Sequence, residues 1–311
     1  GSADAIGFAL EDLDLALTIM STDDSGYAGY RWVAAQADVG LATAQGIPGL
    51  TLDIADAELA INQVFDGSSQ AANSKVVNFA GTGNALTIDT GPSSSLDLTL
   101  DGSLGNTLSV AGDLTLALAG VFQLSGRFGF QQSSRDVKLA DDSDLTGADS
   151  IVITATDVDG FVGANAGAAN ALGASVTDLN ATIALVWENE SNRWLTIAGT
   201  AASGGLVGTD NLGLTATGNN LSVDINTALD GASAIDWVAT TADNTISAFD
   251  NADYADELLA FGGTLDVGVT GVADFTGSVR VVQQATTVEH QGETVNVDAL
   301  YVGVADAGGT L

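Results

Sequence analysis

The chain has 311 residues, 46% of them hydrophobic, which is enough for real cores and argues against disorder. Its 40 Asp and Glu stand against 7 Lys and Arg, a net charge of −33, which excludes nucleic acid and anionic lipid as primary partners because both are held through basic side chains. With no cysteine and a single histidine, His290, disulfides, thiolate or His-cluster metal sites and His-based triads are also excluded.

The same charge makes the surface repel itself at low salt, and dissolved salt or divalent cations would relieve that repulsion. It fits either a solvation surface for brine or seawater, or an extracellular protein that depends on calcium. No apolar run approaches the roughly 20 residues that cross a bilayer, so neither a membrane span nor a signal peptide is expected within this sequence. The Gly1-Ser2 start, without Met, reads as a cloning remnant ahead of a segment of a longer protein.

In chain order, period-two alternation predicts a half-buried strand at Leu13, Leu15, Leu17 and Ile19, and another at Leu50, Leu52 and Ile54. The pattern recurs at Leu96 to Leu100, Leu114 to Leu118, Leu221 to Ile225 and Leu265 to Val269, with Asp, Thr, Ser or Ala on the opposite face. The 38 glycines and the dipeptides Asp66-Gly67, Asp101-Gly102 and Asp230-Gly231 predict tight turns, hence mostly antiparallel meanders. Short helical turns are expected only in "GANAGAANAL" and "FDNADYADELLAF".

The second half of the chain repeats the first. Gly7, Leu10, Asp12 and Leu13 fall on Gly173, Val176, Asp178 and Leu179, and Arg31-Trp32 falls on Arg193-Trp194. "GLTLDIADAELAINQVFDGSS" falls without a gap on "GLTATGNNLSVDINTALDGAS", so Asn62 meets Asn226. "GVFQLSGRF" falls on "GVADFTGSV", and "ADSIVITATD" on "VDALYVGVAD", placing Asp149 on Asp298 and Asp157 on Asp306. A unit of roughly 150 to 165 residues is far longer than a solenoid repeat, so each copy is expected to be a folded module. The expected fold is all-β, with two tandem, mostly antiparallel modules, 3–165 and 166–311, forming an elongated rod.

Chemistry-bearing motifs are sparse. Asp157-Val158-Asp159-Gly160 lacks the glycine and the terminal glutamate of an EF-hand, but Asp157, Asp159 and Asp178 could converge on a calcium ion at the joint between modules. Asp141, Asp142 and Asp144 form a second calcium candidate in the densest acidic run. The plainer reading of each is an Asp-rich turn or a solvated loop. "GGLVGTDNL" resembles a calcium nonapeptide but carries an extra residue and occurs once, so it reads as a turn.

Trp32 with Arg31, and Trp194 with Arg193, could stack on a sugar ring, near Tyr27, Tyr30 and Trp187; the plainer reading is a pair of aromatic clusters closing hairpins. No carboxylate pair stands out for glycoside hydrolysis, and no phosphate-binding glycine loop precedes a lysine, so an enzyme is not expected.

An acidic, Cys-free chain of long β-repeats with blocks such as "GLTLDIADAELAINQ" and "LSGRFGF" resembles the repeat region of giant secreted surface proteins of Gram-negative bacteria, including adhesins exported by type I secretion. The resemblance implies an extracellular spacer on the bacterial cell surface, stiffened by calcium and flanked by further repeats of the same chain. Two other functions remain open from the residues: a glycan-binding module built on the Trp-bearing hairpins, and a curved open sheet forming an apolar groove for lipid. Exposed leucines on one face would favour the groove and a closed core would reject it.

Overall fold

The computed structural model describes residues 7–45, 50–67, 69–70, 76–80, 83–118, 120–189, 191–209, 212–230, 233–242 and 244–310. Its strands are β1 (Gly7–Ser21), β2 (Tyr30–Gln45), β3 (Leu50–Asp66), β4 (Ser69–Gln70), β5 (Leu86–Gly91), β6 (Ser94–Leu98), β7 (Thr107–Leu118), β8 (Phe122–Leu139), β9 (Asp144–Ala164), β10 (Leu172–Asn189), β11 (Asn192–Val207), β12 (Leu214–Ala228), β13 (Ile235–Asp236), β14 (Leu258–Val269), β15 (Ala273–His290) and β16 (Glu293–Thr310). Each strand read from alternation is found, although the one read over Leu96 to Leu100 ends at Leu98, and the fold is all-β with antiparallel pairing. The expected helical turn in "GANAGAANAL" is instead two successive turns, in which Ala168 N–H donates to Asn165 O at 3.0 Å and Ala171 N–H to Ala168 O at 3.0 Å. "FDNADYADELLAF" starts at the last residue of one 3-10 turn, Ser247–Phe249, and holds a second, Ala252–Ala255, before its Leu258-Leu259 end enters β14.

The expectation of two separate modules in a rod is replaced by a single open sheet. Its main path runs β1-β2-β3-β7-β8-β9-β10-β11-β12-β14-β15-β16, with β1 and β16 at the two edges. The boundary of the sequence repeat falls in the turn between β9 and β10, which pair from Leu172↔Ala164 to Trp187↔Asp149 like any other hairpin. The physical reason is that a six-strand unit leaves a row of unpaired N–H and C=O groups on each edge, and abutting two units satisfies both rows.

Within that sheet the duplication is a strand-for-strand repetition. β1, β2 and β3 correspond to β10, β11 and β12, and β7, β8 and β9 to β14, β15 and β16. Each copy carries an insertion between its third and fourth strands, and both insertions fold onto the same face. In copy one, Phe79 and Leu98 bury Ala16 and Ala34, with Met20, Val77, Ile88 and Leu96 packed around them. In copy two, Ile235, Trp237, Phe249 and Tyr254 bury Ala184, Val186, Trp194, Leu258 and Ala260.

The second insertion also reaches back across the repeat boundary. β13 pairs with β8 through Ile235↔Leu139 and Asp236↔Lys138. Arg135 Nη1 donates to Asn244 O at 2.9 Å, and Asp136 N–H donates to Asn244 Oδ1 at 3.1 Å. Copy two is thus strapped to copy one over the seam.

The other face stays open. Residues paired across strands share a face, so Leu13, Leu15, Leu17 and Ile19 on β1 lie on the same side as Val39, Ala37, Ala35 and Val33 on β2, and so on across the sheet. Phe261, Leu265, Val267 and Val269 on β14 and Leu300, Val302 and Val304 on β16 are exposed there. The alternation seen in sequence therefore produces an amphipathic sheet with one apolar side uncovered among the described residues.

Candidate functional site

The densest set of predicted residues lies at the seam between β9 and β10. Asp157 has φ 50° and Asp178 φ 48°, the left-handed region in which Asp and Asn are tolerated better than other side chains. Both stand where the β9–β10 register shifts, between Val176 and Leu179 and again before Ala181. Asp178 N–H donates to Asp159 Oδ1 at 3.1 Å, and Asp157 N–H donates to Asn180 Oδ1 at 3.2 Å. The structure therefore joins Asp159 to Asp178 and sets Asp157 against Asn180, each with a backbone task at a β-bulge.

That task recurs across the whole sheet. Asp12 (φ 52°), Asp56 (φ 46°), Asn220 (φ 50°) and Asp306 (φ 51°) adopt the same conformation. Register shifts stand beside Asp56, Asn220 and Asp306 as they do at the seam. Between these strands the row is continued by glycines where strands come close: a Cβ at Gly126 would lie 2.7 Å from Val158 Cα, and one at Gly112 2.8 Å from Ile54 Cγ2. The Asp12/Asp178 and Asp157/Asp306 matches thus mark a transverse line of bulges, which bends and twists strands.

Asp141, Asp142 and Asp144 lie in the β8–β9 hairpin. Asp141 Oδ1 accepts from Ser143 N–H at 3.0 Å and from its hydroxyl at 2.5 Å, which holds the Asp141 carboxyl below the usual carboxylate range. Asp142 occupies the left-handed turn position at φ 68°, and Asp144 pairs with Lys138 at 3.2 Å. Among the described residues, no group of three or more His, Asp or Glu side chains is placed to hold a metal ion.

The two Trp-bearing hairpins diverge. Trp32 packs in an aromatic group at the end of the β1–β2 hairpin, stacked on Tyr30 at 6.2 Å and tilted against Tyr27 at 6.0 Å, with Tyr27 and Arg31 exposed. Trp194 is 2% exposed and its Nε1 donates to Ser233 O at 2.8 Å, so it is a core residue under the second insertion. Arg193 forms a two-point pair with Asp230 at 3.1 and 3.2 Å, and that pair raises the arginine and holds the Asp230 carboxyl below its ordinary range. Arg193 also borders a shallow depression of about 470 Å³ with Asp149, Trp187, Glu188 and Asn189.

The residues that organise the covered face were not singled out in sequence for that role. Asn62 and Asn226, noted only as a matched pair, are both buried. Asn62 Nδ2 donates to Val77 O at 2.8 Å, and Asn226 Nδ2 donates to Ile235 O at 2.7 Å and to Asp256 O at 2.8 Å. Each fastens its insertion to the sheet. Tyr254 Oη lies 2.8 Å from Asp224 Oδ1, and burial together with that carboxylate pushes the phenol far above its usual range. An asparagine at one aligned place in both copies, within a strand where it has low intrinsic preference, was the available signal.

Among the described residues no helix is long and apolar enough to cross a membrane. Compared with protein-family models, curated proteins and solved structures, the chain gives no match in any of the three.

Proposed function

We propose that the chain is a structural repeat segment of a large extracellular bacterial surface protein of the adhesin-like kind, setting distance rather than performing chemistry. The observation that supports this reading best is the seam: the junction between repeats is built from the same hairpin, bulge and register geometry as the interior of each repeat. Residues matched between copies serve backbone geometry and the fastening of insertions, which is what a unit selected for repetition needs. In this reading calcium relieves the repulsion of the acidic surface, with Asp157, Asp159 and Asp178 among its carboxylates, and neighbouring repeats of the same chain are its partners.

Thermal unfolding in calcium against chelator tests the cation. A higher midpoint in calcium is expected, and an unchanged midpoint sinks the calcium component. A glycan array read with the intact chain tests the spacer role: reproducible hits lost on Trp32→Ala would replace it with glycan binding.

A second reading is favoured by the open face. Contiguous exposed apolar area beyond a few hundred Å² marks a binding surface on most soluble proteins, and Leu13, Leu15, Leu17 and Ile19 alone line one full strand of it. An apolar groove for lipid chains would take neutral lipid, since the net charge of −33 repels anionic headgroups. Co-sedimentation with phosphatidylcholine vesicles that is lost in Leu15→Ser/Leu17→Ser would support it, and no binding would remove it.

A further inference from the structure

The seam between the copies is a template for the two free edges. β10 corresponds to β1 and β9 to β16, so the edge that β10 turns toward β9 is the one β1 leaves open, and the edge β9 turns toward β10 is the one β16 leaves open. We propose that β16 of one chain pairs with β1 of a second copy of the same chain, head to tail, in the register of the internal seam. This rests on the repeat reading above, with a second copy standing in for the next repeat, and deepens it by naming how units join.

Three observations carry it. First, the register can be transferred residue by residue. The seam pairs Leu185↔Ile151, Ile183↔Ile153 and Ala181↔Ala155, which places Ile19 opposite Leu300, Leu17 opposite Val302 and Leu15 opposite Val304. Second, those edge residues are more exposed than their seam counterparts. Ile19 is 64% exposed and Leu300 65%, whereas their counterparts Leu185 and Ile151 are half-buried, and Val302 is 63% exposed against 40% for its counterpart Ile153. A neighbouring strand would cover them as the seam covers theirs.

Third, the left-handed positions of the bulges match, with Gly308 standing where the seam has Asp159, so only the Asp159 side-chain bond lacks a counterpart. Asp12 and Asp306 already hold the left-handed conformation that Asp178 and Asp157 adopt at the seam. At β1 that kink faces no strand among the described residues. Asp14 stands in the place of Asn180, whose Oδ1 accepts the Asp157 N–H, and a carboxylate there can accept the corresponding Asp306 N–H. The β5–β6 hairpin does not fill the edge, for it forms its own two-stranded sheet resting on the covered face.

The joint is heterologous, so it extends rather than closes. Each added chain contributes twelve strands at about 4.8 Å, about 58 Å of sheet before curvature. Both edges are acidic, with Glu11, Asp12 and Asp14 on one and Glu293 and Asp306 on the other, so association strengthens with salt.

The lack of native cysteine allows a direct test. A chain carrying only Leu17→Cys is mixed with one carrying only Val302→Cys, and Thr18→Cys is mixed with Tyr301→Cys, under mild oxidation in about 1 M sodium chloride, where the Debye length is about 3 Å. Neighbouring pairs in an antiparallel ladder alternate between wide and close spacing, so one of the two combinations meets the geometry of a disulfide. The expected result is a mixed disulfide dimer, with loss of that dimer when Val302→Cys is replaced by Val295→Cys. Absence of mixed dimers in both combinations, or equal yield with Val295→Cys, overturns the proposal. If the far-ultraviolet circular dichroism and the protection of the internal seam are unchanged in that case, the repeat reading itself survives.

Discussion

The two copies share a frame of six strands but differ at the position opposite their matched asparagines. In copy two, Asn226 is paired with Thr196, whose hydroxyl donates to Asn226 Oδ1 at 3.0 Å and accepts from Trp237 Nε1 at 2.9 Å. In copy one, Asn62 is paired with Ala34, and Asn62 Oδ1 is buried with no partner among the described residues. One asparagine therefore sits in a closed network that grips a large aromatic insertion, and the other holds a smaller one by a single donor. The difference teaches that the frame follows duplicated backbone demands, whereas the grip on each insertion depends on the residue opposite the asparagine.

The largest expected break in the comparison is Trp237→Ala, which empties the centre of the second insertion and should cost about 3–5 kcal/mol in denaturant unfolding. It should also loosen the strap on β8, read as faster hydrogen exchange at Lys138, whose N–H is held by Thr240 Oγ1 at 3.1 Å. Thr196→Ala leaves Asn226 Oδ1 and Trp237 Nε1 stranded together and should cost about 2–3 kcal/mol by the same measurement. The effect makes copy two resemble copy one, and an unaltered stability would contradict the network.

Asp157→Val puts a β-branched side chain in the left-handed region and should cost about 1–2 kcal/mol, while Asp157→Gly should be close to neutral in thermal unfolding. If both variants cost the same, the carboxylate rather than the backbone explains this residue. In the opposite direction, Ala34→Ser offers Asn62 Oδ1 the donor it lacks and should stabilise copy one by about 0.5–1.5 kcal/mol, provided the hydroxyl fits beside Phe79 and Leu98.

The smallest expected effect concerns Arg193. Because Asp230 is held below its ordinary range by this arginine, the pair stabilises the fold above the unfolded carboxylate range and loses that contribution as pH falls through the depressed folded value. Arg193→Ala should therefore melt slightly below the parent at neutral pH, and the gap should close in acid. A gap that is constant with pH would mean that packing of the arginine stem, not its charge, is what is lost.

Much of this was legible in the sequence. Alternation at Leu13 to Ile19 or Leu265 to Val269 reports strands directly, because one face of each is apolar in fact and not only on average. The duplication was legible too, since its blocks coincide with strands. What the repeat could not reveal was that its boundary is a hairpin like the rest: a seven-residue stretch such as 165–171, rich in Gly and Ala, reads equally as a linker between modules or as a loop within one sheet. The bulge residues read two ways for a related reason. Asp157 and Asp178 carry carboxylates that suggest a cation, yet Asp is also chosen where the backbone turns left-handed, and only three-dimensional register separates the two demands. The insertion cores were the least legible, because Trp237, Phe249 and Tyr254 lie in irregular segments without periodicity.

The central claim is that both copies belong to one hydrogen-bonded sheet. Native-state hydrogen exchange resolved along β9 and β10 tests it most directly. Protection at Ile153 and Ile183 equal to that of the interior β7–β8 pair is the predicted result. Exchange there as fast as at the free edges of β1 and β16 would contradict it and restore two independent modules.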